Sequence, residues 1–387
     1  MAASRAHTRR RIHHMRLFFL AAMSALVMLA DATLSASFQD DPPPGPMPAF
    51  NGSVAVLTYN VKGLPWPVAR GRPPALERIG HELRSMHARG KAPQVVVLQE
   101  AFTREAQAIG RLGGYAYIAA GPGAGDIQPQ KVSAQDQDHA AASSWWKGET
   151  QGKFVGSGLQ ILSDYPIVAV RRMAFGDHSC AGYDCLASKG AMLVRITIPG
   201  APTPIDVLTT HLNSRRSSGV SDARSLSGYR RQVEELTAFV RQAHDPRFPL
   251  IAAGDYNVGS AAARRTVLLG AVQRNWVTGF EVRDAFSQFQ RRGGTLAGDA
   301  AYSFKHAVDW QFFADGSQGK LDVIGIEVPF GRDKAGDMLS DHIGYVARFA
   351  ISAGRSAETV AAKRLENGVQ PEINRSASRA GAGFRGG

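Results

Sequence analysis

Polar residues able to do chemistry stand where the short apolar runs of this chain end. Val54–Tyr59 runs into Asn60, and Val95–Gln99 into Glu100. Ile205–Thr210 runs into His211, with Asn213 two residues on, and Leu250–Gly254 into Asp255, with Asn257 next but one. Ser340-Asp341-His342 leads into the last run. One strand ending in a carboxylate is commonplace, because the loop begins there. Five such ends are harder to dismiss: if the strands are neighbours, these groups meet at one sheet edge. Asn, Asp and Glu are hard oxygen donors, which suit Mg²⁺ or Ca²⁺ better than zinc. Two histidines supply proton transfer near neutral pH. A hard cation, histidines and amide donors together suit phosphate-ester hydrolysis, with charge neutralised at the phosphoryl group and a base activating water. No Ser or Cys stands in a nucleophile-elbow setting, which favours water as the nucleophile.

The elements that must position these groups read as strand-rich. Short, branched apolar runs predict strands at Val54–Val61, Val95–Leu98, Leu159–Leu162, Met192–Ile198, Ile205–Thr209, Leu250–Ala253, Trp310–Phe313, Val323–Val328 and Ile343–Phe349. Several are apolar on both faces, which predicts sheets covered on both sides. Leu76, Ile79, Leu83 and Met86 recur at helical spacing, as do Leu226, Tyr229, Val233, Leu236 and Phe239. Strands outnumber helices and occur singly and in pairs, so two packed sheets with helices outside fit better than a doubly wound sheet. Residues 119–153 show little periodicity; so long a loop in a compact domain is usually functional or disordered. It carries Trp145-Trp146-Lys147 between polar flanks, which predicts an exposed aromatic tip for membrane contact or substrate stacking.

The chain has 387 residues, 44% apolar and 20% charged, a globular composition. Its net charge is +12. Residues 1–32 carry five Arg and one Asp, and residues 355–387 six basic and three acidic residues, which leaves +5 for 33–354. A dedicated nucleic-acid surface would concentrate the excess on the folded part, so the composition lends that reading little support. Basic residues 5–16 precede the apolar run Leu17–Ala30, shorter than the ~20 residues of a membrane span. Ala30-Asp31-Ala32 fits a small-x-small cleavage site, so residues 1–32 are expected to be an export signal and the mature protein secreted or periplasmic. Residues 33–50 form a Pro-rich linker, 51–354 the catalytic domain, and 355–387, poor in large apolar residues, a disordered basic tail. Only Cys180 and Cys185 are present; export permits a disulfide between them, with a pair of free thiols as the alternative.

Taken in order, Thr58-Tyr59-Asn60-Val61, Leu98-Gln99-Glu100, Thr210-His211-Leu212-Asn213, Gly254-Asp255-Tyr256-Asn257 and Ser340-Asp341-His342 resemble the motifs of the endonuclease/exonuclease/phosphatase superfamily over about residues 54–350. The resemblance implies an α/β, four-layer sandwich of two mixed β-sheets with helices on both outer faces. It implies Glu100 as the main metal ligand with Asn60 beside it, and Asp255 and Asp341 contributing to the metal site. His211 would contact the phosphate and protonate the leaving oxygen, Asp255 would orient water or a metal, Asn257 would hold a phosphate oxygen, and His342 would be the general base. Asp309 matches the Asp that steers the base, and Asp322 is a rival; Asp309 is preferred because a further strand fits between it and Ser340. The implied cofactor is Mg²⁺, with Mn²⁺ or Ca²⁺ as alternatives.

Thr58–Pro65, Gly156–Ile167 and Ala187-Ser188-Lys189-Gly190-Ala191 further resemble secreted sphingomyelinase-like members, which implies a phospholipase-C-type phosphodiesterase with Lys189 at the phosphate. A solvated lysine at a strand start is the alternative for Lys189. The long aromatic hairpin that some sphingomyelinases carry near the C-terminus is missing, and Asp315–Gly319 reads as a polar turn. A phospholipid or other phosphodiester is the expected substrate, a monomer the expected state, and membrane contact through Trp145 and Trp146 the expected mode. A secreted nuclease on the same residues is the rival reading, with Arg215 and Arg216 near the backbone of a nucleic acid. A non-catalytic binding protein on the same scaffold is the third.

Overall fold

The computed structural model describes residues 44–126 and 134–354. The expected export signal, the first part of the linker and the basic tail lie outside the described residues. Among the described residues, twelve strands form two six-stranded sheets. The first runs β11 (Gly319–Phe330), β12 (Gly344–Ala353), β1 (Ser53–Asn60), β2 (Val95–Gln99), β4 (Gln160–Ser163), β3 (Tyr117–Ala120). The second runs β5 (Ile167–Ala174), β6 (Gly190–Ile196), β7 (Ile205–His211), β8 (Leu250–Asp255), β10 (Asp309–Ala314), β9 (Arg283–Asp284). Both sheets are mixed: β1–β2 and β7–β8 are parallel, the other pairs antiparallel.

Helices α1 (Arg72–Ala88) and α2 (Arg104–Gly113) cover the outer face of the first sheet, burying Leu76, Ile79, Leu83 and Ile109 against Leu57, Val96 and Leu98. After the short α3 (Ala134–Ala141), helices α4 (Asp222–Ala243) and α5 (Ala262–Asn275) cover the second, burying Tyr229, Val233, Leu236, Leu268 and Val272 against Leu208 and Ala252. Between the sheets Val54, Val56, Val95 and Val97 meet Met192, Val194, Val207, Ile251 and Phe313. Each such side chain removed from water is worth about 1.5–3 kcal/mol. The expected four-layer sandwich is therefore the fold. Helices α6 (Ala285–Arg291) and α7 (Gly298–His306) complete the described residues, among which no helix is long and apolar enough to cross a membrane.

Strand parity decides what reaches the space between the sheets. In β1 Val54 and Val56 face inward and Ala55, Leu57 and Tyr59 face the helices, so the same parity sends Thr58 and Asn60 inward. The inward series of β7 is Ile205, Val207, Thr209, His211; that of β8 is Ile251, Ala253, Asp255; that of β10 is Asp309, Gln311, Phe313. A polar belt separates apolar interior from site: Gln99 Nε2 donates to Thr58 Oγ1 and Thr209 Oγ1 at 3.5 Å, and Gln311 Nε2 to Val56 O at 3.0 Å. Gly254 is required by the close approach of β7 to β8, since a Cβ there would lie 2.4 Å from Thr210 O.

Strands β3, β5 and β9 and helices α2, α5, α6 and α7 were not anticipated from periodicity. Strands β3 and β5 are sheet edges whose exposed residues, among them Tyr117, Ile118, Val168 and Val170, mix with buried ones and blur the pattern. Helix α5 buries only Leu268, Val272 and, unexpectedly, Arg264. The segment 119–153, read as one loop, holds the end of β3, helix α3 and a 3₁₀ turn at Trp145–Lys147.

Cys180 and Cys185 form a disulfide, which resolves the pairing left open above. The closed loop is short, so its stabilisation through the unfolded chain is only about 2 kcal/mol. Replacing both cysteines with Ser should lower the urea-unfolding free energy by about that amount and leave the m-value unchanged. A loss beyond about 4 kcal/mol would show that the loop does more than restrict the unfolded chain.

Candidate active site

At one end of the sandwich the inward series of both sheets run out, and their last members meet. Parallel pairing aligns His211 of β7 with Asp255 of β8, and antiparallel pairing aligns Asp309 of β10 with that same Asp255. From the other sheet, Asn60 Nδ2 donates to Glu100 Oε1 at 3.0 Å and to Asp255 Oδ2 at 3.1 Å, which ties the two sheets at the site. Asn60 Oδ1 accepts from Lys62 N at 3.1 Å, so the amide nitrogen is the atom it turns to the carboxylates. Glu100 leaves β2 with φ +57°, in the left-handed region, which turns its side chain back towards the sheet end.

His342 enters from the segment before β12. Its Nδ1 lies 2.9 Å from Asp309 Oδ2, which sets the ring so that Nε2 points to Asp255 Oδ2, 3.9 Å away. Asp322, the rival for Asp309's place, lies on β11 and pairs with Arg292. Ser340 Oγ donates to Asn60 O at 2.7 Å and anchors the His342 segment to β1. Asp341 turns outward and pairs with Lys62 Nζ at 2.9 Å.

Opposite, His211 Nε2 lies 3.2 Å from Lys189 Nζ and 3.4 Å from Asp255 Oδ2, while its buried Nδ1 has no partner among the described residues. Lys189 is buried rather than solvated; Nζ also donates to Leu212 O at 3.0 Å and lies 3.2 Å from Asp184 Oδ1. Asn257, at φ +49°, donates Nδ2 to Leu212 O at 2.9 Å and its backbone N–H to Asp255 Oδ1 at 2.9 Å.

Charge in the cluster follows burial. Burial pushes the Glu100 and Asp255 carboxyls above the usual range, and Asp309 raises Asp255 further. Burial opposes protonation of His342, but Asp309, Asp255 and Glu100 together outweigh it and hold that imidazole well above its usual value. For His211, burial and the neighbouring Lys189 act the same way and push the ring well below it, so His211 is neutral. Burial would raise Asp341, yet the Lys62 hydrogen bond brings it below the ordinary carboxylate range.

Three carboxylates, Glu100, Asp255 and Asp309, thus crowd one end of the sandwich, and one oxygen of buried Asp309 has no hydrogen-bond partner among the described residues. Asp255, Asp309 and His342 present atoms within 4.8 Å of one another. An oxygen-rich set of this kind fits a hard divalent cation. The tightest trio differs from the set expected from sequence, because Asp309 and His342 are bonded to each other and Asp341 leans away to Lys62.

Two neighbours of the site carried no sequence signal. Asp184, within the disulfide loop, accepts from Ser214 N and faces Lys189. Arg264, on α5, donates to backbone carbonyls of the loops after β7 and β8. A buried arginine and a surface one look alike in a sequence; only the long-range packing of α4 on α5 tells them apart.

A sequence model described as the Endonuclease/Exonuclease/phosphatase family matches residues 57–342. A sphingomyelinase of Mycobacterium bovis is 23% identical over 324 residues, covering 81% of this chain and 56% of that protein, so the chain spans about half the length of the curated relatives it matches. Among solved structures, sphingomyelinase C from Streptomyces griseocarneus is 22% identical at a TM-score of 0.49, covering 78% of this chain and 99% of that one. A mutant beta toxin from Staphylococcus aureus with bound magnesium ions is 18% identical at a TM-score of 0.49, covering 76% and 99%.

Proposed function

The chain belongs to the Endonuclease/Exonuclease/phosphatase family, and from that premise we propose that it is an exported, metal-dependent phosphodiesterase of phospholipase-C type acting as a monomer on a sphingomyelin-like headgroup. The observation that carries the reading is the Asp309–His342 pair aimed at Asp255, with Glu100 beside it. Asp309 holds Nδ1, so Nε2 is the free ring atom, and with the carboxylate charge that keeps the ring protonated offset by a bound cation it would take a proton from the attacking water. Asp255, 3.9 Å from that nitrogen, is placed to orient the same water. Glu100 and Asp255 would hold the divalent cation, with the Asn60 side chain between them, and Asp341 would join them only on leaving Lys62. When bound, the cation supplies charge neutralisation at the phosphoryl group. On the far side, neutral His211 offers a ring N–H to a phosphate oxygen, and Lys189 lends positive charge from behind it.

The lipid assignment is supported by the Trp145-Trp146 tip. Both rings are exposed, 48% and 62%, and packed edge-to-face at 5.0 Å. The tip is firmly held: buried Glu149 accepts from Ser144 N at 2.7 Å, Gly182 N at 2.8 Å and Arg224 Nε at 2.9 Å. Rigid exposed aromatics suit a membrane interface, where one ring edge stays wet. Trp66 and Val68, on the loop after β1, are exposed as well, 58% and 60%. Arg215, a candidate for a nucleic-acid backbone, is instead closed into a two-bond pair with Asp222.

The purified chain, assayed on sphingomyelin, phosphatidylcholine and plasmid DNA with Mg²⁺ and with EDTA, tests the reading. Lipid hydrolysis lost with EDTA supports it; DNA cleavage without lipid cleavage transfers the chain to the nuclease branch. Replacing Trp145 and Trp146 with Ala should weaken liposome binding by about tenfold or more and change hydrolysis of a soluble diester by less than about twofold. Equal losses on both substrates would end the membrane role.

A further inference from the structure

Arg264 is 2% exposed, and among the described residues no carboxylate lies within ion-pair distance of it. Burying a guanidinium without a counter-charge is costly unless its donors are all used well. Here Nη1 donates to Asn213 O at 2.5 Å and to Asn257 O at 2.9 Å, Nη2 donates to Ser225 Oγ at 2.5 Å, and the plane lies 4.4 Å from the Tyr229 ring centre. Burial lowers its pKa somewhat, against the pull of Tyr229 and Asp184.

The two carbonyls stand in equivalent places. Asn213 follows His211 by two residues and Asn257 follows Asp255 by two, and His211 and Asp255 are in register across β7 and β8. One nitrogen therefore bridges the two loops just beyond their site residues. The rest of the neighbourhood leaves little slack. Asn213 N donates to Gln232 Oε1 at 2.6 Å, and Asn213 Oδ1 accepts from Ala181 N at 2.9 Å. Ser225 passes the clasp on, its Oγ donating to Ser214 O at 3.0 Å. Asn257 Nδ2 returns to Leu212 O, the peptide between His211 and Asn213.

We propose that Arg264 is a positioning residue: by clasping the Asn213 and Asn257 carbonyls it sets the spacing of the His211 and Asp255 loops, and with it the distance of His211 from the reacting phosphate. The proposal rests on the functional reading above and names a residue that reading does not contain. It predicts a loss in turnover rather than in substrate binding, because a shift of under an ångström misplaces groups that act in the transition state.

The experiment uses the full chain with Arg264→Met, which keeps the packing over Tyr229, and Arg264→Lys, whose single ammonium cannot span both carbonyls and Ser225. With bis(p-nitrophenyl) phosphate as the soluble probe, the Met variant should lose on the order of 10²-fold in kcat with KM within about threefold, and the Lys variant about tenfold or more. In parallel, NMR of the metal-free proteins should show the His211 ring-proton signals moved and those of His87, at the other end of the sandwich, unmoved. Wild-type kcat with unmoved His211 signals in the Met variant would overturn the proposal. If the Met variant fails to fold, the Lys variant decides it: full kcat there overturns it, reduced kcat with moved His211 signals supports it. A wild-type chain inert on every diester would sink the functional reading instead, and the NMR comparison would still decide whether Arg264 positions His211.

Discussion

His342→Ala lowers turnover of a diester on the order of 10³-fold while the protein stays folded. This is the magnitude expected for loss of a positioned general base. The ring is packed at the mouth of the site, one nitrogen committed to Asp309 and the other 3.9 Å from Asp255. No other imidazole among the described residues approaches these two carboxylates from that side; His211 reaches Asp255 from the opposite loop and is neutral. Removing the ring leaves Asp309, 6% exposed, without its hydrogen-bond partner. Asp309→Asn separates orientation from charge: the amide still fills the place, and turnover should fall on the order of 10²-fold, since the ring loses its fixed tautomer. Because the two residues act as a unit, the double variant should be scarcely slower than His342→Ala. Circular dichroism and steady-state rates on one preparation check all three. Residual activity within about tenfold of wild type in the Ala variant would remove His342 from the base role.

Glu100→Gln should cost about as much, for a different reason. The substitution keeps shape and a hydrogen bond from Asn60 but removes one negative charge from the cluster. The carboxyl is strained by burial and eased only by the Asn60 bond and by the charges of His342 and Lys189. A group held charged in such a place is relieved by a nearby cation, so affinity for Mg²⁺ should fall on the order of tenfold or more. Turnover at subsaturating Mg²⁺ should fall on the order of 10³-fold and recover in part as Mg²⁺ is raised. Calorimetric titration of the chain with Mg²⁺ alone reads the binding without any substrate. Equal Mg²⁺ affinity in wild type and variant would exclude Glu100 as a ligand.

The local part of this architecture was legible because it repeats on a short period. Continuous branched apolar runs in β1, β7, β8 and β10 marked strands buried on both faces, and the polar residue closing each marked a sheet edge. The same reasoning missed β3 and β5, where edge exposure breaks the apolar run, and α5, whose buried face includes a cation. It also read Lys189 as either a phosphate contact or a solvated residue; the chain buries it against Asp184, Leu212 and His211.

From sequence alone came the residue types at the strand ends, their order, the four-layer fold and the family. The strands and the residues that close them depend on neighbours two to four positions apart, which side-chain periodicity records; the four-layer fold and the family rest on the resemblance carried by five ordered motifs. Tertiary structure alone decided that Asn60 bridges Glu100 and Asp255 and that Arg264 clasps two loops, and it seats Asp309, already preferred over Asp322, against His342. Each of these joins groups brought together by the packing of sheets and helices, Asn60 and Asp255 being 195 residues apart. No local period records which distant strand ends become neighbours.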